Sequence, residues 1–204
     1  MGVRILLVAS AAGVLLAGNA WSATPDPALS TVPNVVVEPG GALAYRVTVV
    51  SVAGPVAGAI VRLHLTAEGE PLVGWCTGQG HPDIDATTNG SGVATFNVAG
   101  GGCVNPAALI APPVQVYANG VLLRQVGVVS GDVVDDTGRL PTQGWNPGPN
   151  LKVALSDAVF HTAPLKTGAY NFCTDLNSDG ACNLTDAVIL TPPIKTGHTC
   201  THAP

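Results

Sequence analysis

The chain has 204 residues, of which only 10% are charged: 8 Lys plus Arg stand against 13 Asp plus Glu, a formal charge of −5. So acidic a chain with so few cations lacks the basic patch that nucleic-acid binding needs, and that class of partner is excluded. With 25 Gly and 17 Pro among many Val, Ala and Thr, the composition suits short strands joined by tight turns.

In chain order, Arg4, the apolar run 5–17 and small residues up to Ala20 or Ala23 read as a secretory signal peptide, 1–23, cleaved after one of those alanines. Its apolar core is shorter than the ~20 residues a membrane span needs, and no later segment is long enough to cross a bilayer. The expected product is soluble and secreted, in the periplasm or outside the cell.

A period of two follows. Leu43, Tyr45, Val47 and Val49 would face a core while Ala44, Arg46 and Thr48 face away. Val61, Leu63 and Leu65 repeat the pattern, as do Ala94, Phe96 and Val98, then Val114, Val116 and Ala118. Asn119-Gly120 is a type I′ turn signal, which predicts a hairpin from 114–118 and 121–129. Further strands are expected at 34–38 and 82–88. Some seven or eight short strands without a helical period predict a mainly β fold, an antiparallel β-sandwich over 32–130. The Gly/Pro-rich stretch 131–145, with Asp132, Asp135 and Asp136, reads as a solvated acidic linker.

The last part carries the chemistry. Asp175, Asn177 and Asp179, then Gly180 and finally Asp186, place oxygen side chains at positions 1, 3, 5 and 12 of a loop with glycine at 6. A hard dication takes six to eight oxygens, and a loop of about twelve residues supplies them by curling round it. Gly180 would take the sharp turn, and Ala181 would give the position-7 carbonyl. The expected Ca2+ ligands are therefore Asp175, Asn177, Asp179, Ala181 and Asp186, whose three carboxylates crowd unfavourably without a cation. Asp186 stands where the EF-hand pattern has the longer glutamate.

This unit is duplicated. Leu155-Ser156-Asp157-Ala158-Val159 returns 29 residues later as Leu184-Thr185-Asp186-Ala187-Val188, and Pro164-Leu165-Lys166-Thr167-Gly168 returns as Pro193-Ile194-Lys195-Thr196-Gly197. Each copy is a loop plus a short helix that buries an apolar face only against its twin. In the first copy the loop positions read Asn146, Gly148, Asn150 and Asp157, with Leu151 opposite Gly180. With one carboxylate and no turn glycine, it is expected to keep the shape of a site and bind calcium weakly or not at all. Pro164, Pro192 and Pro193 are expected to cut both helices to about two turns.

Five cysteines fit an oxidising compartment and leave one unpaired. Cys76 and Cys103 most simply pair within the first domain. Cys173 then joins either Cys182 or Cys200, a choice the spacing leaves open. Without C-x-x-C or H-x-x-H spacing, zinc is not expected.

No nucleophile elbow or H-E-x-x-H motif is present, His81 reads as a loop residue, and Glu38, Glu68 and Glu70 fall near strand ends where solvated charge is ordinary. The expectation is a non-catalytic protein. Trp75, Trp145 and Tyr117 are the aromatics placed to stack on a sugar or to pack a rim.

The tandem over 146–200 resembles a dockerin domain, the EF-hand-type calcium module that docks onto a cohesin in cellulosome-type assemblies. Its match lies in the second loop and in the apolar positions 8 and 10, Val153 and Leu155, then Cys182 and Leu184. Known dockerins often carry Ser-Thr at positions 10 and 11, where this chain has Leu155-Ser156 and Leu184-Thr185. The runs 54–61 and 86–96 are similar to the bacterial Ig-like domains of surface adhesins. Together the resemblances imply a secreted interaction protein, an Ig-like sandwich with a small α-helical calcium module and a cohesin-like or other surface partner. The alternative is a carbohydrate-binding component of a polysaccharide-degrading complex, with a glycan as ligand.

Overall fold

The computed structural model describes residues 23–69, 73–76, 82–109, 111–134 and 150–200. The expected signal peptide, apart from Ala23, and linker positions 135–145 lie outside the described residues, as do His81, Glu70, Trp145, Asn146 and Gly148. Among the described residues no helix is long and apolar enough to cross a membrane.

The fold is mostly strand. The strands are β1 (Val35–Val37), β2 (Ala44–Thr48), β3 (Val50–Ser51), β4 (Gly54–Pro55), β5 (Ile60–Leu65), β6 (Gly74–Trp75), β7 (Asp83–Thr87), β8 (Val93–Asn97), β9 (Gly100–Gly101), β10 (Val114–Ala118), β11 (Val121–Val126) and β12 (Val128–Ser130). An antiparallel sheet runs in the order β11-β10-β5-β7, with short pairs β2-β8, β3-β4, β6-β9 and β1-β12 beside it. The alternation works as expected: Val61, Leu63 and Leu65 are buried, while Ile60 and Arg62 point out. Tyr45 lies opposite Phe96 in the β2-β8 pair, their ring centroids 5.9 Å apart, and both enter one continuous apolar cluster.

The predicted hairpin is present as β10-β11. Asn119 and Gly120 take φ of 47° and 79°, the doubly left-handed turn that matches strand twist. One pairing departs from the antiparallel expectation, because β1 and β12 run parallel, Val35 against Val128. They are the first and last strands of this part, so no tight hairpin dictates their sense.

Two helices close the chain, α1 (Leu155–Thr167) and α2 (Leu184–Thr196). Each has 13 residues and runs through its prolines, so the expected stop after two turns is corrected. A helical proline forfeits its own N–H and crowds the carbonyl four residues back. Here the prolines fall in the last turn, which a glycine then closes: Gly168 (φ 68°) donates to the Pro164 carbonyl, and Gly197 (φ 61°) to that of Pro193. The left-handed cap satisfies carbonyls that would otherwise face water.

The helices are fused to the strands. Leu176 and Leu190 belong to the same buried cluster as the sheet residues, with Phe172, Ile189 and Ile194 packed against it. A Cβ on Gly127, between β11 and β12, would come within 2.6 Å of the Phe172 ring, so only glycine lets the turn before α2 approach that closely. The expected solvated linker is corrected over its described part, since Gly131 to Val134 are all buried and Asp132 has no exposed surface.

The cysteine pairing is corrected too. Cys76 bonds Cys200 and Cys103 bonds Cys173, leaving Cys182 as a buried free thiol. Pairing by domain fails because the two parts share a core that brings distant segments together. Beside the first bridge, His198 Nδ1 meets Glu38 Oε1 at 2.6 Å, and Glu38 also accepts from the Gly40 and Ala42 amides at 2.8 Å. Glu38 is fully buried rather than solvated as expected.

Candidate metal centre

The second loop starts from a 3-10 turn, Phe172–Thr174, and ends in α2. Asp175 opens it almost fully buried, its Oδ1 accepting from the Asp179 amide and its Oδ2 from the Gly180 amide, both at 3.0 Å. Gly180 has φ 85°, the turn expected of it, and Ser178 is also left-handed at 59°. Asn177 Oδ1 accepts from the Asp179 amide, and its Nδ2 donates to Asp179 Oδ2 and Thr185 Oγ1, both at 2.9 Å. Asp179 is exposed, and its Oδ1 accepts from the Ala181 amide at 2.9 Å.

Asp186, fully buried, ties the loop to the helix. Its Oδ1 accepts from the Leu176 and Asn177 amides at 2.9 and 3.3 Å, its Oδ2 from the Asn183 amide at 3.0 Å. Asn183 caps α2 by accepting from the Thr185 amide. Burial raises the pKa of Asp175, and the charges of Asp186 and Asp179 raise it further, against the pull of the Gly180 and Asp179 amides.

These residues suit calcium by kind. Every donor is an oxygen, and the two buried ends repel each other in a way that a dication relieves. Their present arrangement is turned to the backbone: among the described residues no three His, Cys, Asp or Glu side chains gather closely enough to hold an ion.

The first loop repeats this hydrogen-bond frame with a register that the sequence spacing misses. Asp157 Oδ1 accepts from the Val133 and Val134 amides at 2.8 and 3.1 Å and its Oδ2 from the Ala154 amide at 2.9 Å, bond for bond the pattern of Asp186. Asn150 Oδ1 accepts from the Lys152 amide as Asp179 does from Ala181. Leu151 takes φ 57°, the conformation of Gly180. Asn150 and Asp157 thus sit at positions 5 and 12 as expected. In this frame Asp132 stands where Asp175 stands in the second loop, so the described part of the first loop carries two carboxylates, Asp132 and Asp157, rather than the one expected.

Asp132 is fully buried, and among the described residues neither of its oxygens has a partner in hydrogen-bonding geometry. Burial pushes its pKa to about 8, the charge of Asp157 adding to the rise, while the Leu151, Asn150 and Lys152 amides facing it act the other way. One turn beyond Asp157 in α1 lies His161, also fully buried, its Nδ1 3.0 Å from Thr174 Oγ1 and its Nε2 without a partner in hydrogen-bonding geometry among the described residues. Burial lowers its pKa to about 4. Sequence spacing overlooked Asp132 because the loop between it and Asp157 is 14 residues longer than that between Asp175 and Asp186.

Positions 8 and 10 divide cleanly. Val153 and Cys182 are buried, whereas Leu155 and Leu184 are 74% and 77% exposed. One turn on, Val159 and Val188 are exposed as well, at 67% and 64%. Each helix therefore presents a Leu-Val pair to solvent on the side away from its buried Asp. Compared with known proteins, the chain matches no family model, no curated protein and no solved structure.

Proposed function

We propose that this is a secreted, non-catalytic interaction protein, an Ig-like sandwich bearing a dockerin-like calcium module. The observation that carries the reading is the duplicated frame: two loops closed by buried aspartates, each leading into a helix with an exposed Leu-Val pair at matching positions. Apolar side chains of that size, exposed twice in the same place, serve best as anchors for a partner of cohesin-like kind.

Asp175, Asn177, Asp179, Asp186 and the Ala181 carbonyl would hold calcium in the second loop. The ion supplies charge compensation, which fixes the loop and through Asn183 the start of α2. Binding to the folded state alone adds stability by mass action, about 1.4 kcal/mol at ten times Kd. Thermal melting of the full chain in calcium and in chelator tests this. The expected result is a midpoint several degrees higher in calcium; coincident curves at millimolar calcium would sink the reading.

A further inference from the structure

The outward face of the four-stranded sheet carries a cleft that the loops do not use. Strand register sets Arg62 between Tyr117 and Asp85, and His64 between Gln115 and Asp83. The side chains are tied together. Arg62 donates through Nε and Nη2 to the two Asp85 oxygens at 2.8 and 2.7 Å, and its Nη1 lies 3.3 Å from Asp83 Oδ2. His64 Nδ1 lies 2.7 Å from Asp83 Oδ1, and the Tyr117 hydroxyl donates to Gln115 Oε1. Ile60, 54% exposed, borders the opening, whose volume is about 530 Å3.

That volume lies within the ~300–1,000 Å3 usual for small-molecule sites. Two carboxylates share the Arg62 guanidinium and His64 meets one of them, so an anion gains nothing from the local field and each charge already has its partner. What remains is a lattice of donors and acceptors, held in place before any ligand arrives, beside an aromatic ring and an aliphatic side chain. Pre-ordered side chains lose little freedom on binding. The matching ligand is uncharged, has an apolar C–H face, and carries a rim of hydroxyls that both donate and accept.

We infer that this cleft binds a neutral oligosaccharide, with a sugar ring against Tyr117 and its hydroxyls on Arg62 and Asp83. Tyr117 supplies the apolar platform. Asp83 accepts from one hydroxyl while Arg62 donates to its neighbour, so that a vicinal diol satisfies both. The site is independent of the calcium reading, and its occupancy is the same in calcium and in chelator.

The test is calorimetric titration of the full chain with oligosaccharides of the β-1,4-glucan, xylan, mannan and chitin types, in calcium and in chelator. At least one should bind in both media, with Tyr117→Ala and Arg62→Gln each weakening it roughly tenfold or more, the scale of one good contact. Thermal melting checks that each variant is folded, and the two lie on different strands, so one folded variant suffices. No binding to any of the four overturns the inference. Binding that survives in a folded variant overturns the placement, and binding lost only in chelator moves the ligand to the calcium module.

Discussion

The two loops have the same hydrogen-bond frame and opposite chemistry at its centre. In the second, amides meet both oxygens of Asp175 and four further oxygen donors follow in one unbroken loop. In the first, Asp132 is more deeply buried yet no described residue meets it in hydrogen-bonding geometry, and its continuation arrives from far along the chain at Asn150. The frame depends on the position-12 aspartate, which accepts three amides in each copy. The state of the position-1 aspartate depends on what the intervening residues supply. One loop suits a cation; the other suits a proton, its Asp132 pKa raised to about 8.

The harshest way to break this comparison is to remove the shared aspartates. Asp157→Ala and Asp186→Ala each orphan three amides. Each should cost about 3–5 kcal/mol in urea unfolding with chelator present. A gap between the two much above ~2 kcal/mol would show that the frames are not energetic equivalents.

Titration sharpens the contrast. Asp132 has a raised pKa, about 8 against 3.8, so its contribution is full at low pH and is lost as pH rises toward 8. His161 has a lowered one, about 4 against 6.5, so its contribution is full above 6.5 and is lost as pH falls toward 4. Between those limits the two oppose each other. Of the two, only Asp132 titrates above pH 6.5, and through it chelated protein should lose at most about 2 kcal/mol by pH 8, a fall that Asp132→Asn abolishes in denaturation curves.

A milder change converts one loop toward the other. Gly180→Leu copies the residue at position 151 into φ 85° with open space around it, so backbone strain is its main cost, about 1 kcal/mol. It should also shrink the melting shift between calcium and chelator. Least costly to the fold are Leu155→Asp and Leu184→Asp, which should move stability by no more than ~0.5 kcal/mol in urea. If both helices serve as anchors, the double variant loses a partner captured by the parent chain.

Strands β2, β5, β8 and β10 are readable from residue alternation because each has one buried face, as Tyr45 and Val47 show against Arg46. The second loop was readable from its spacing, and so were positions 5 and 12 of the first. Asp132 was not, since nothing local connects it with a helix starting at Leu155. The prolines misled for a related reason: their penalty is local, whereas the glycine caps and the packing of α2 on the sheet outweigh it. Cysteine pairing is not legible because domain membership does not set proximity, and the shared core joins what sequence separates.

The disulfide topology bears on the order of assembly. As the chain emerges from the ribosome, Cys76 and Cys103 meet each other first, 27 residues apart, while their native mates follow at Cys200 and Cys173. Oxidation strictly in chain order would join those two first, and the native pairing is then reached only by thiol–disulfide exchange. A nascent product cut short before Cys200 leaves Cys76 without its mate and open to that trap.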